Sequence, residues 1–263
     1  TFLEKNKNGE IMDYRLLMDT AVLAGEIMLS SGAETYRVED TIAHMLKMAN
    51  LKHTHVFVTA TGFFATLSDP NMDAITVVRR VEKRSTNLNR IYLVNDISRK
   101  FCSEEIDLEK AFHELKCVKS EVQYSQRQKN IGVVLTVAFF CVLLGGETLD
   151  CILAAGIGVI LAGGMTIGRK IKLNNFILDG INTAVIVMST LALQYILPFL
   201  INTDTIIIGA IMPMVPGVAI TNAIRDTLQG DYMSGGARML EAFVEAAAIA
   251  LGACLGIAVF RNM

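Results

Sequence analysis

The chain has little of what an enzyme or a nucleic-acid binder would need. Its 24 basic and 26 acidic side chains nearly cancel, leaving a formal charge of -2 and a pI near 6.1, so it lacks the basic field that phosphate backbones require. The five cysteines (Cys102, Cys117, Cys141, Cys151 and Cys254) are odd in number and not closely paired, which argues against a disulfide framework or a zinc site. No phosphate loop, Walker motif or nucleophile elbow occurs, so ATP-driven transport within this chain is not expected. His53 and His55 share one face of any strand they form, but no third ligand stands at recognisable spacing. Thr59 and Thr61, beside Gly62, have no identifiable base. No metal, no cofactor and no enzymatic activity are therefore expected. The start, Thr1–Asn8, is polar, and Asp13, Arg15 and Asp19 interrupt the next apolar stretch, so no signal peptide is expected and insertion must use later segments.

Charge is also missing from half of the chain. Residues 1–130 carry 36 charged side chains, 18 of each sign, whereas residues 131–263 carry 14 and hold 16 of the 20 glycines. The expected fold is an α-helical membrane protein with an N-terminal α+β cytoplasmic domain: residues 1–125 form that domain and residues 126–263 a domain of five transmembrane helices, one of them broken. The five apolar segments lie near 131–148, 151–168, 176–199, 205–224 and 238–260, each close to the ~20 residues a crossing needs. Arg127 and Lys129, then Arg169, Lys170 and Lys172, then Arg225 and Arg238 flank alternate connections. The connections around Glu147 to Asp150 and Pro198 to Asp204 have no basic residue. By the positive-inside rule the N-terminal domain is cytoplasmic and the C-terminus outside.

The fourth segment, within TDTIIIGAIMPMVPGVAITNAIRD (Thr203 to Asp226), carries Pro213, Pro216 and Gly217 at its centre. Two prolines three apart remove backbone donors and open a helix, and glycine lets the opened chain turn. In a bilayer such an opening is tolerated where protein covers it or where it lines a water-filled cavity, as in the substrate sites of secondary transporters. A packing kink is the plainer alternative. Asp179 with Asn182 on the third segment, and Glu241 with Glu245 on the fifth, are ionisable or polar groups in apolar surroundings. The three carboxylates are candidates for carrying a coupling proton, with interfacial snorkelling as the alternative. Asn222 and Arg225 share a face at the end of the fourth segment, and Arg225 could attract a substrate carboxylate. Ala154, Gly158 and Ala162, and likewise Gly252 and Gly256, are four apart and predict close helix contacts. Five crossings make a second inverted five-helix unit the natural complement, and no second copy is present in these residues, so either the chain pairs with itself or a separate partner supplies the other half.

In the N-terminal half, helical spacing predicts helices over 13–30 and 34–48, separated by Ser31-Gly32, and over 87–101 and 107–119. Runs at 55–61, 63–67 and 74–81 read as a small antiparallel sheet. Gly32, Glu34, Thr35, Arg37, Glu39 and Asp40 form a dense motif at the second helix start, for which solvated capping is the plainer reading.

Four ordered blocks resemble one family. They are SSGAETYRVEDTI (Ser30 to Ile42), HVFVTATGFFATL (His55 to Leu67), MPMVPGVAITNAIRD (Met212 to Asp226) and GDYMSGGARMLEAF (Gly230 to Phe243). The chain is similar to the larger, N-terminal-type unit of the threonine/serine exporter family. The resemblance implies an inner-membrane, proton-gradient-driven exporter of small hydrophilic metabolites, either threonine and serine or a dicarboxylate such as succinate. It further implies a partner: a second, small five-helix membrane subunit, within an oligomer in the lipid bilayer. A membrane-anchored regulatory or hydrolase-like domain, or a pore or scaffold subunit, is the competing expectation.

Overall fold

The computed structural model describes residues 3–5, 11–70, 72–82, 84–198 and 200–262. Of the polar start of the chain, only Leu3–Lys5 falls within them. The chain divides into two units, one formed by Thr1–Glu121 with Val218–Met239, the other by Val122–Gly217 with Leu240–Met263.

The first unit is α+β. Strands β1 (Leu3–Lys5) and β2 (Ile11–Asp13) pair antiparallel and lead into α1 (Tyr14–Ser30). Then come α2 (Thr35–Lys47), β3 (His53–Thr59), β4 (Gly62–Asp69), β5 (Met72–Arg80), α3 (Leu88–Cys102) and α4 (Leu108–Ser120), with the three later strands in the antiparallel order β3-β4-β5. Helix α1 starts at Asp13, whose carboxylate accepts the Arg15 and Leu16 N–H groups at 3.0 and 3.1 Å, an N-cap that satisfies otherwise orphan donors. It ends where Gly32 adopts φ +84°, with the Ala33 N–H bonded to the Met28 carbonyl and the Gly32 N–H to the Leu29 carbonyl. This double bond is a Schellman motif, and its left-handed residue favours glycine. Helix α1 is buried on most sides, through Leu17, Met18, Ile27 and Met28, and packs on α2, α3, α4 and the sheet. The sheet alternates as a half-buried antiparallel sheet should: Val58, Phe63, Ala65 and Leu67 enter the core, while the aligned Phe57, Phe64 and Val78 face outward.

The second unit contains α5 (Gln126–Leu143), α6 (Thr148–Lys170), α7 (Asn175–Ile196) and α8 (Thr203–Ile211). A 3-10 turn at Met212–Met214 follows, then α9 (Gly217–Leu228), almost all of it in the first unit, and α10 (Tyr232–Arg261), which starts in the first unit and continues into the second. Helices α6, α7 and α10 are long and apolar enough to cross a bilayer, yet only 33%, 33% and 22% of their most apolar windows are buried within the chain. Apolar helices that leave their apolar side chains uncovered match lipid as solvent and support a membrane location. The pair formed by α8 with its 3-10 turn and α9, bent at the break, gives a fourth span if counted as one.

Among the described residues, then, three or four spans meet the length and apolarity of a crossing, where the sequence predicts five. The difference is the first segment. Helix α5 opens with the polar run Gln126 to Asn130 and ends at Leu143, so its apolar part is about 13 residues or ~20 Å, against a hydrocarbon core of ~30 Å. The small-residue faces do serve as helix contacts: a Cβ on Gly158 would lie 3.0 Å from the Val134 Cα, and one on Gly252 would overlap the Gly180 carbonyl.

Candidate functional site

The α1–α2 corner leaves a helix start in need of partners. Glu34 occupies the N-cap of α2 with extended backbone, but its side chain makes no capping bond, so the first N–H groups of the helix are not satisfied locally. Asp226, 191 positions away on α9, supplies the missing acceptor: its Oδ1 takes the Thr35 N–H at 3.3 Å and the Thr35 hydroxyl at 2.9 Å. A carboxylate at this position also complements the positive end of the α2 dipole. The Asp226 side chain is fully buried, and its Oδ2 lies 3.2 Å from the Nε of Arg238 on α10, itself 7% exposed. Arg238 also donates to the Ala33 carbonyl at 2.8 Å, and the Asn222 amide donates to the Gly32 carbonyl at 2.9 Å. The Glu34 carboxylate, released from capping, receives the Arg225 guanidinium and lies 3.4 Å from the Arg37 Nε.

Side chains of α9 and α10 thus grip backbone and side-chain groups across residues 32–35. We refer to this as the clasp. Two charges taken out of water are costly, and only further hydrogen bonds make such a pair tolerable; here Thr35 and the Ala33 carbonyl provide them. The α9–α10 turn is shaped for the grip. Gly230 has φ +89°, its N–H bonds the Thr227 carbonyl, and the Asp231 N–H bonds the Asp226 carbonyl, a second Schellman motif. Asp231 then caps α10 by accepting the Ser234 N–H at 3.1 Å. Gly235 lets the two helices approach closely, since a Cβ there would lie 2.9 Å from the Ala223 carbonyl.

The structure therefore brings together Gly32, Glu34, Thr35, Arg37, Asn222 and Arg225, which the sequence places in two separate groups. Glu39 and Asp40 belong to α2 but lie outside the clasp. With Tyr36, Asp231 and Tyr232 they line an open cleft of about 890 Å³. Partial burial raises the pKa of the Glu39 carboxyl, a hydrogen bond from the Val58 backbone opposes the rise, and the nearby Asp231 adds to it. Two residues at the centre of the clasp, Asp226 and Arg238, are absent from the sequence-derived candidates. The available signal was a carboxylate and a guanidinium bordering apolar segments, where unpaired charge is costly.

Pro213 falls in the 3-10 turn, and Val215, with φ -63° and ψ 128°, takes the extended conformation that a following proline imposes. Helix α9 restarts at Gly217, so the expected break is present between α8 and α9. In the second unit, Asn182 on α7 is 5% exposed and packs against Gly164 of α6, and its Nδ2 has no hydrogen-bond partner among the described residues. Asp179, one turn earlier, is half-buried. Gly180, next to it, meets Gly252 of α10, and Glu245 precedes Gly252 by two helical turns, with Glu241 one turn further. Among the described residues no group of three or more His, Cys, Asp or Glu side chains could hold a metal ion.

No solved structure matches the chain. Among curated proteins, it is 24% identical over 249 residues to a protein of Mycobacterium tuberculosis (strain ATCC 25618 / H37Rv) named "Probable threonine/serine exporter". The match covers 92% of this chain and 46% of that protein, so the chain spans about half the length of its relative. A family model described as "Putative threonine/serine exporter" matches residues 19–260, a stretch that contains the broken helix and every residue of the clasp. With nearly its whole length matched, the chain belongs to the threonine/serine exporter family.

Proposed function

We propose that the chain is one half of a secondary exporter of small hydrophilic metabolites, threonine and serine or a dicarboxylate such as succinate, driven by the proton gradient. The observation that carries this reading is the helix break at Val215-Pro216 within an apolar segment, in a chain matched almost end to end by an exporter family. Pro213 and Pro216 contribute no N–H to the helix ladder, and helix breaks of this kind present backbone groups to polar substrates in secondary transporters. Asn182, a buried amide with an unused donor, is a second substrate contact. Asn222 and Arg225 are engaged with Gly32 and Glu34, and the Arg225 side chain stays 47% exposed, so a substrate carboxylate reaches it beside the Glu34 carboxylate or in exchange for it. Asp179, Glu241 and Glu245 are the candidate proton carriers, because carboxylates in apolar surroundings load and release protons nearer neutrality.

In this reading the short α5 is the fifth crossing, its mismatch with the hydrocarbon core met by local thinning and by Arg127 and Lys129 reaching to the interface, the α+β unit is cytoplasmic and the C-terminus lies outside. A second, small five-helix membrane subunit provides the other half, consistent with a relative about twice as long. The test is metabolite efflux from preloaded cells. Pro216→Ala, which allows α8 and α9 to join, is expected to reduce efflux at unchanged protein level. Undiminished efflux from this variant removes the break from the transport path.

A further inference from the structure

Helices α2 and α3 meet along a seam that is polar where two packed helices usually present apolar stripes. Arg37, Thr41 and His44 recur at the i, i+4, i+7 spacing that makes one face of α2. Asn95, Ser98, Arg99 and Cys102 do the same on α3. Together they line an open groove of about 460 Å³ within the first unit, a volume in the range of small-molecule sites. The apolar faces of both helices point elsewhere, Val38, Ile42 and Met45 on α2 and Val94, Ile97 and Phe101 on α3 all joining the core. The groove is therefore not an unfilled part of that core. Its floor carries hydroxyls that are almost fully buried, Thr41 at 7% and Ser98 at 6% exposure.

Arg37 leans on Glu34, and Asp40, which also lines the groove, lies 3.1 Å from His44, whereas the exposed Arg99 guanidinium makes no ion pair among the described residues. The thiol does not supply chemistry: burial pushes the Cys102 pKa up, and its hydrogen bond with Ser98 only partly opposes that, so it stays protonated at neutral pH. An uncompensated planar guanidinium beside hydroxyls and the Asn95 amide matches a carboxylate, which it can bind through two parallel hydrogen bonds.

We propose that the α2–α3 groove binds a small carboxylate ligand, with Arg99 as the anchoring cation and Ser98 and Asn95 as its polar contacts. The site lies apart from the helix break and does not rest on the export reading.

The test is titration of the purified full chain in lipid nanodiscs with L-threonine, succinate and inorganic phosphate, followed by calorimetry. Binding of threonine or succinate is expected, weakened at least about tenfold by Arg99→Gln, as loss of a charge-assisted pair predicts. Ser98→Ala is expected to weaken it by a smaller factor. Lys100→Gln, which removes an adjacent cation outside the groove, is expected to leave it unchanged. The assignment is overturned if neither carboxylate binds at millimolar concentration, if phosphate alone binds, or if Arg99→Gln binds as well as the natural protein. Because the readout is binding and not flux, failure here and failure of the export reading are separate outcomes.

Discussion

Asp226 carries more of the clasp than any other side chain, since it caps α2 through Thr35 and faces Arg238 with both partners nearly sealed from water. Replacing it with alanine leaves Arg238 buried without a counter-charge, which costs about 3–5 kcal/mol, whereas replacing both members with apolar residues of similar size restores much of the loss. The first unit of the detergent-solubilised protein should therefore unfold at markedly lower denaturant in Asp226→Ala and recover in an Asp226→Leu, Arg238→Met double variant. Thr35→Val, which removes one hydroxyl donor to a carboxylate, should cost less, about 1.5–3 kcal/mol. Glu39 gives a pH-dependent prediction. Its folded-state pKa is raised, so its charged form is disfavoured in the folded state, and its relative stabilisation is present below the unfolded value and lost as pH rises through the folded one. Glu39→Gln should accordingly raise the unfolding midpoint at neutral pH, and the gain should vanish in acid, below the ordinary glutamate pKa of about 4.3. None of this pairing was readable from sequence. Glu34, Thr35 and Arg225 stand out as charged or polar groups at helix ends, but nothing in a linear chain links Thr35 to a carboxylate 191 residues later.

At the scale of elements the sequence was far more legible. The helices over 14–30, 35–47, 88–102 and 108–120 and the three-stranded antiparallel sheet follow the apolar periodicities of 3.6 and 2, because each buries one face against the same core. The break between α8 and α9 was equally legible, since proline geometry acts locally. Helix α5 was not, because a glycine-punctuated apolar run, Ile131 to Thr148, reads as one segment although the helix stops at Leu143. The helix-contact glycines lead to a prediction at this scale. Gly252 of α10 meets the Gly180 backbone of α7, so Gly252→Leu must separate two helices and not just move a side chain. It should lower the thermal midpoint of the solubilised protein by more than Gly236→Leu on the same helix, where a Cβ meets nothing within 4 Å.

For the molecule as a whole, the informative quantity is length. The chain spans 46% of its relative and has three or four spans of crossing length among its described residues, one of them broken between α8 and α9. In the function proposed above a second subunit covers that break, and the chain alone is therefore expected to be inactive. The measurement that bears most directly on this is uphill efflux of labelled threonine, serine and succinate in membrane vesicles. The vesicles carry the chain alone, the small five-helix subunit alone, or both, with and without an imposed proton gradient. The predicted result is gradient-dependent uphill movement of at least one of these solutes only when both proteins are present, lost on collapse of the gradient and in Pro216→Ala. No movement of any of the three with both proteins present, or movement that is indifferent to the gradient, would contradict it.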